Sequence, residues 1–245
     1  MATFVFLISI MVYLQPSVEL FGVKIAEPVT TLTDLVVTAV CLYAFYQLNK
    51  IPKQNNVHTY LKYYFISMAI ATAVGGLVGH GFFYLFTFAW KLPGWLTSML
   101  SIALVERAAI LYAHKLVKPA VGNFFAWLNV IELITFVIIT FITLDFFFVE
   151  AHAAYGLLIV VSSFSLITYV KTKSKGSLNF LIAVSFSAIG ALFFMNKWGI
   201  GPWFNHFDIS HLFLACSAWF FYRGSMLIIF DPLSYSLKQK SSEEI

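Results

Sequence analysis

The sequence predicts an all-α polytopic membrane protein, a bundle of seven transmembrane helices. Three observations predict it. Of 245 residues, 60% are hydrophobic and only 11% charged, whereas a soluble domain carries about 25% charged residues. The apolar residues gather into long unbroken runs of about 20, the length a helix needs to cross a bilayer. Twenty-seven phenylalanines are spread over the whole length, so the chain is embedded throughout rather than anchored at one end. This composition excludes a soluble enzyme, a disordered chain and a nucleic-acid-binding module. It also excludes a β-barrel, whose strands would alternate over about 10 residues.

The elements follow in order. The first apolar run, Phe4 to Leu14, stops at Gln15-Pro16 and lacks a basic stretch before it. It is short for a span and poor as a signal peptide, and reads as part of an outer interfacial segment, residues 1–28. Seven segments then have the length and composition of spans: 30–48, 62–88, 94–114, 123–144, 151–170, 178–196 and 208–230. The linkers carry Pro, Gly, Asn and Lys, as at Lys91-Leu-Pro93-Gly94 and Gly199-Ile-Gly201-Pro202. Residues 231–245 form a polar tail. No internal repeat divides the chain, so residues 1–245 are one transmembrane domain. Cys41 and Cys216 both sit in apolar runs and read as packed thiols rather than a disulfide.

Orientation follows from the lysines. With the first helix entering from outside, the inner loops and ends hold Lys50, Lys53, Lys62, Lys115, Lys118, Lys171, Lys173, Lys175, Lys238 and Lys240, and the outer ones hold Lys24, Lys91 and Lys197. Basic residues concentrate on the cytoplasmic side. The N-terminus is therefore expected outside and the C-terminus in the cytoplasm. The net charge of +4 is a topology signal here, not a sign of a nucleic-acid partner. A bacterial plasma membrane and the endoplasmic reticulum fit equally well.

Ionisable residues inside a span are costly and mark function. At 1.5 Å rise per residue, Asp34 in the first helix, His80 in the second and His211 in the seventh all lie roughly 8–10 Å from the midplane on the outer side. Asp208 stands one turn before His211 and can face the same cavity, and His206 can fold in from the preceding loop. Imidazoles and carboxylates at one depth are what a zinc site needs, and three protein ligands with one open position make it hydrolytic. The bland reading is that these histidines are packing residues and that Asp34 and Asp208 are helix caps. Deeper in the membrane, Glu106, Arg107 and Glu132 are expected to form a structural ion pair fixing the third helix against the fourth. Glu150 and His152 read as solvated residues at the outer mouth, and His58 as a solvated residue at the inner surface.

The chain resembles the CREST superfamily of seven-helix membrane hydrolases, which includes the alkaline ceramidases and the progestin and adiponectin receptors. The likeness in topology covers the whole chain. In sequence it rests on Gly75-Gly-Leu-Val-Gly-His80 and Phe204-Asn-His-Phe-Asp-Ile-Ser-His211. The resemblance implies that His80 and His211 ligate zinc. It also departs from the family pattern. Gly76 stands where the family has a serine, Lys91, Leu92 and Pro93 where it has an aspartate, and His206 and His211 are five residues apart rather than four. His206 or Asp208 would then complete the site, with Asp34 replacing the missing acid.

The reading reached from the sequence is a zinc-dependent integral membrane hydrolase that cleaves an amide or ester bond in a lipid. His80, His211 and His206 are the expected metal ligands, and Asp34 and Asp208 the expected catalytic carboxylates. The expected partners are a lipid substrate and the bilayer. The alternative is a non-enzymatic seven-helix receptor or small-molecule-binding membrane protein.

Overall fold

The computed structural model describes residues 15–235. The run from Phe4 to Leu14 and the end of the polar tail lie outside the described residues. The first ordered element is an antiparallel hairpin of β1 (Val18–Leu20) and β2 (Val23–Ile25). Its two-residue turn is Phe21-Gly22, with φ of 53° and 77°; positive φ at both positions matches the twist of a tight hairpin. Just past β2, the Ala26 N–H donates to the Gly81 carbonyl at 2.9 Å, which ties the hairpin to the end of the second helix.

Eight helices follow. They are α1 (Pro28–Lys50), α2 (Asn56–Gly81), α3 (Phe88–Leu116), α4 (Pro119–Thr143), α5 (Phe147–Thr172), α6 (Lys175–Met195), α7 (His206–Ile228) and the short α8 (Pro232–Tyr235). Helices α1 to α6 are long and apolar enough to cross a membrane. α7 is as long as α1, at 23 residues, but it carries His206, Asp208, His211 and Arg223 and falls outside that group. The starts of the helices are set by local chemistry. Proline occupies the first turn of α1 and α4, and Pro93 the first turn of the α-helical stretch of α3 that begins at Leu92, where its missing N–H costs nothing. Asn55 caps α2 by accepting from the His58 N–H at 2.8 Å, and Asn205 caps α7 by accepting from Phe207 at 2.8 Å.

The second span differs from expectation. It starts six residues earlier and ends at Gly81 instead of 88. Phe82 breaks the helix, and short 3₁₀ turns at Phe83–Leu85 and Phe88–Lys91 lead into α3. The last seven residues of α2, Gly75–Gly81, are wound as a π-helix, and so is the middle of α5, Tyr155–Val161. Such wide turns recur at functional sites.

α1, α2, α3, α5, α6 and α7 pack in that order as a closed ring, since α7 returns to α1. α4 lies outside the ring, against α3 and α5, and is only 17% buried. Its outer face presents Ile131, Ile134, Ile138 and Phe141, a surface suited to acyl chains. The core fills the ring with Val37, Leu61, Phe65, Val105, Phe180 and Phe221. Phe221 meets Tyr64 and Phe180 edge-on at 5.5 and 5.0 Å, a favoured aromatic geometry. Side-chain hydrogen bonds cross between helices at Thr38–Thr72 and Ser187–Ser217, both 2.8 Å. In hydrocarbon each such bond contributes about 0.6 kcal/mol. Cys41 and Cys216 are free thiols. His58 is not solvated: it is buried, with Nε2 3.0 Å from the Leu48 carbonyl.

Candidate metal centre

Asp34, His80 and His211 each offer a ligand atom, and these atoms lie within 4.8 Å of one another. The fold explains the meeting. Asp34 is in the second turn of α1, His80 at the C-terminal end of α2, and His211 in the second turn of α7. α1 packs between α2 and α7, so these ends come to the same level of the bundle. Gly76 makes the approach of α1 possible. A Cβ at Gly76 would stand 2.8 Å from the Asp34 Cβ and 3.2 Å from the Thr31 carbonyl oxygen.

Both imidazoles are held from behind. His80 Nδ1 lies 2.5 Å from Glu27 Oε2, and His211 Nδ1 lies 3.1 Å from Thr33 Oγ1. The remaining nitrogen of His211, Nε2, lies 3.4 Å from Asp34 Oδ1. A carboxylate or hydroxyl on one ring nitrogen fixes the tautomer and leaves the other for a metal. The donor set of two imidazoles and one carboxylate is that of hydrolytic zinc sites. The residues therefore fit a Zn²⁺ ion. Glu27 was not among the residues singled out in the sequence. The only signal for it there is an acidic residue just before Pro28, at the level of His80.

Two expected members of the site stand outside this three-residue group. His206 is outside the three-residue group; its ring packs against Phe207 and Phe194, with centroids 4.3 and 5.8 Å apart. As the first residue of α7 it sits more than one turn before His211, on a different azimuth. Asp208 is fully buried and occupied with structural bonds. It completes a capping box with Asn205, whose N–H it accepts at 2.7 Å. It also accepts from Thr30 Oγ1 at 2.8 Å and from Gln15 Nε2 at 3.2 Å. Gln15 in turn accepts from the Val29 and Thr30 N–H groups at 2.9 and 3.1 Å, satisfying donors that every helix start leaves over. Asp208 thus clasps α7 to α1. Asp34 is well inside α1 and is not a cap.

The expected ion pair of Arg107 with Glu106 or Glu132 is replaced by another arrangement. Arg107 Nη2 donates to the Ala126 carbonyl at 2.5 Å and Nε to Asn129 Oδ1 at 3.2 Å. Among the described residues, Arg107 has no carboxylate within ion-pair distance. Glu132 instead holds His152, with Nδ1 2.7 and 2.8 Å from its two oxygens. His152 is completely buried, which corrects the expectation of a solvated residue at the outer mouth. The first turns of α5, which carry His152, pack against both α3 and α4.

Asp34, His80 and His211 stand at the wall of a cavity of about 370 Å³ enclosed by the six ring helices. Its lining is otherwise largely apolar, with Trp95, Ile102, Leu157 and Phe194 among the side chains. Glu150 lines the same space and is half-buried. The three ligating residues, apolar walls and one further carboxylate could seat a ligand with a polar head and a hydrocarbon tail.

Residues 29–228 match a family described as "Family of unknown function (DUF6962)", and the chain belongs to it. No curated protein matches the sequence.

Proposed function

We propose that this member of the family is a zinc-dependent integral membrane hydrolase that cleaves an amide or ester bond of a lipid. The observation that carries the reading is the convergence of Asp34, His80 and His211 within 4.8 Å at the wall of an apolar cavity. The resemblance of the His80 and His211 segments to the CREST superfamily points the same way. When bound, the ion would supply a Lewis acid and a water activated near neutral pH.

The protein's own groups take separate roles. His80 and His211 present one nitrogen each, oriented by Glu27 and Thr33. Asp34 adds the third ligand and one negative charge, which offsets the cation in low dielectric. Glu150 is the carboxylate left in the cavity for proton transfer to the leaving group. The hydrocarbon of the substrate lies against Trp95, Ile102, Leu157 and Phe194.

We further infer that α7 crosses the membrane as a seventh span, with the N-terminus outside and the C-terminus in the cytoplasm. The lysine distribution supports this, because Lys50, Lys53 and Lys62 lie at the end of α1 and α2 away from the metal group.

The test is hydrolysis. The full chain, reconstituted in lipid nanodiscs and loaded with zinc, should release fatty acid from a lipid in a panel of N-acyl and acyl-ester substrates. Chelation and H211A should each abolish release. A zinc-loaded protein that cleaves no member of the panel overturns the hydrolase reading and favours a receptor or binding protein.

A further inference from the structure

The structure holds a second group of ligating residues, separate from the one above. Glu106 on α3, Glu132 on α4 and His152 on α5 bring ligand atoms within 4.8 Å of one another, and all three residues are buried. None of them lines the cavity beside Asp34.

Three features go beyond a cluster of acidic residues. First, His152 Nε2 lies 2.9 Å from the Met99 carbonyl oxygen. A carbonyl only accepts, so Nε2 carries the proton and donates. Nδ1 is then the nitrogen that could ligate once a cation displaced its proton, with Nε2 held by the backbone, as at many metal-bound histidines. Second, Glu132 presents both oxygens to Nδ1 at 2.7 and 2.8 Å. Nδ1–H donates to this fork, and a divalent cation would take the place of that proton between the carboxylate and the ring. Third, Glu106 is fully buried and its Oε1 has no hydrogen-bond partner among the described residues, while Oε2 accepts from Asn129 Nδ2 at 3.3 Å. A buried carboxylate oxygen left unpaired costs about 1–3 kcal/mol or more. Protonating it would remove the charge but leave an O–H that itself needs an acceptor.

The backbone makes room for this side chain. Gly156 belongs to the π turn of α5, and a Cβ there would collide with Glu106 Oε1 and stand 2.6 Å from Ile102 Cγ2. Only glycine lets α5 pass so close to the carboxylate.

We propose that Glu106, Glu132 and His152 bind a second divalent cation, inside the bundle between α3, α4 and α5. Two carboxylates and one imidazole form a harder, more oxygen-rich set than Asp34, His80 and His211. It suits Mn²⁺ or Fe²⁺ better than a thiolate-seeking metal. Its two negative charges balance a divalent ion in surroundings where an unpaired charge is costly. The ion gives Glu106 Oε1 its missing partner and replaces the direct contact of Glu132 with His152. This site does not depend on the hydrolase reading.

The test is metal stoichiometry of the full chain. Detergent-purified protein is incubated with Zn²⁺ and Mn²⁺ together, desalted, and analysed by plasma mass spectrometry, beside H211A, E106Q and the double variant. E106Q keeps the size of the side chain, and E132Q is the second probe should E106Q fail to fold. The expected result is two ions per chain in the natural protein, one in H211A, one in E106Q or E132Q, and none in the double variant. One ion that is lost in E106Q and kept in H211A would sustain this site and remove the metal from the hydrolase reading. A folded E106Q or E132Q with as many ions as the natural protein overturns the proposal.

Discussion

Glu27 Oε2 lies 2.5 Å from His80 Nδ1, so a carboxylate at the start of α1 orients an imidazole at the end of α2. This contact links the first two helices through the proposed zinc ligand. Such supporting carboxylates are worth about 10–100-fold in metal affinity. E27Q should weaken zinc binding by that factor while leaving the far-ultraviolet helical signal unchanged. A competition titration against a chromogenic chelator measures it, and an unchanged affinity would remove Glu27 from the site.

His206 and His211 separate cleanly in the fold, one stacked on phenylalanines and the other beside Asp34. H206A should keep the zinc bound at the Asp34 group, and H211A should lose it. Metal analysis of the two variants side by side decides. Loss of that ion from H206A would mean that His206 reaches the metal after all.

Asp208 holds the start of α7 to α1 through Asn205, Thr30 and Gln15. D208N can still accept but loses charge-assisted bonds, each worth about 1.5–3 kcal/mol. It should lower the thermal midpoint in detergent without changing metal stoichiometry. Retained stability together with a lost ion would instead make Asp208 a ligand.

Gly76 is the point of closest approach of α2 to α1, where an added methyl would meet Asp34 Cβ at 2.8 Å. Overpacking of this kind costs about 1–3 kcal/mol. G76A should destabilise the protein by that amount and reduce zinc affinity, because Asp34 must move. The same substitution at the exposed Gly22 turn has open space around it but a φ of 77°. It should cost stability alone.

Much of the fold was legible in the sequence. Composition and run length place α1, α4, α5 and α6 to within four residues and find α2 and α3 with ends up to seven residues off, because long apolar runs leave few polar positions to confuse the pattern. The rise per residue also brings Asp34, His80 and His211 to one level. The shortened α2 was not legible. The apolar run continues through Phe82, Phe83, Tyr84 and Leu85, and hydropathy does not see the break in backbone geometry.

By itself, then, the sequence determined a helical chain with helices long and apolar enough to cross a membrane, and the axial height of its ionisable residues. Only the tertiary structure decided their partners. Height depends on counting residues, but the direction a side chain faces depends on helix rotation and on which neighbours pack. The π turns at Gly75–Gly81 and Tyr155–Val161 shift that rotation, each extra residue by about 100°. Packing of neighbouring helices makes Asp34 rather than His206 join the two histidines, makes Asp208 a clasp, and brings His152 rather than Arg107 to Glu132.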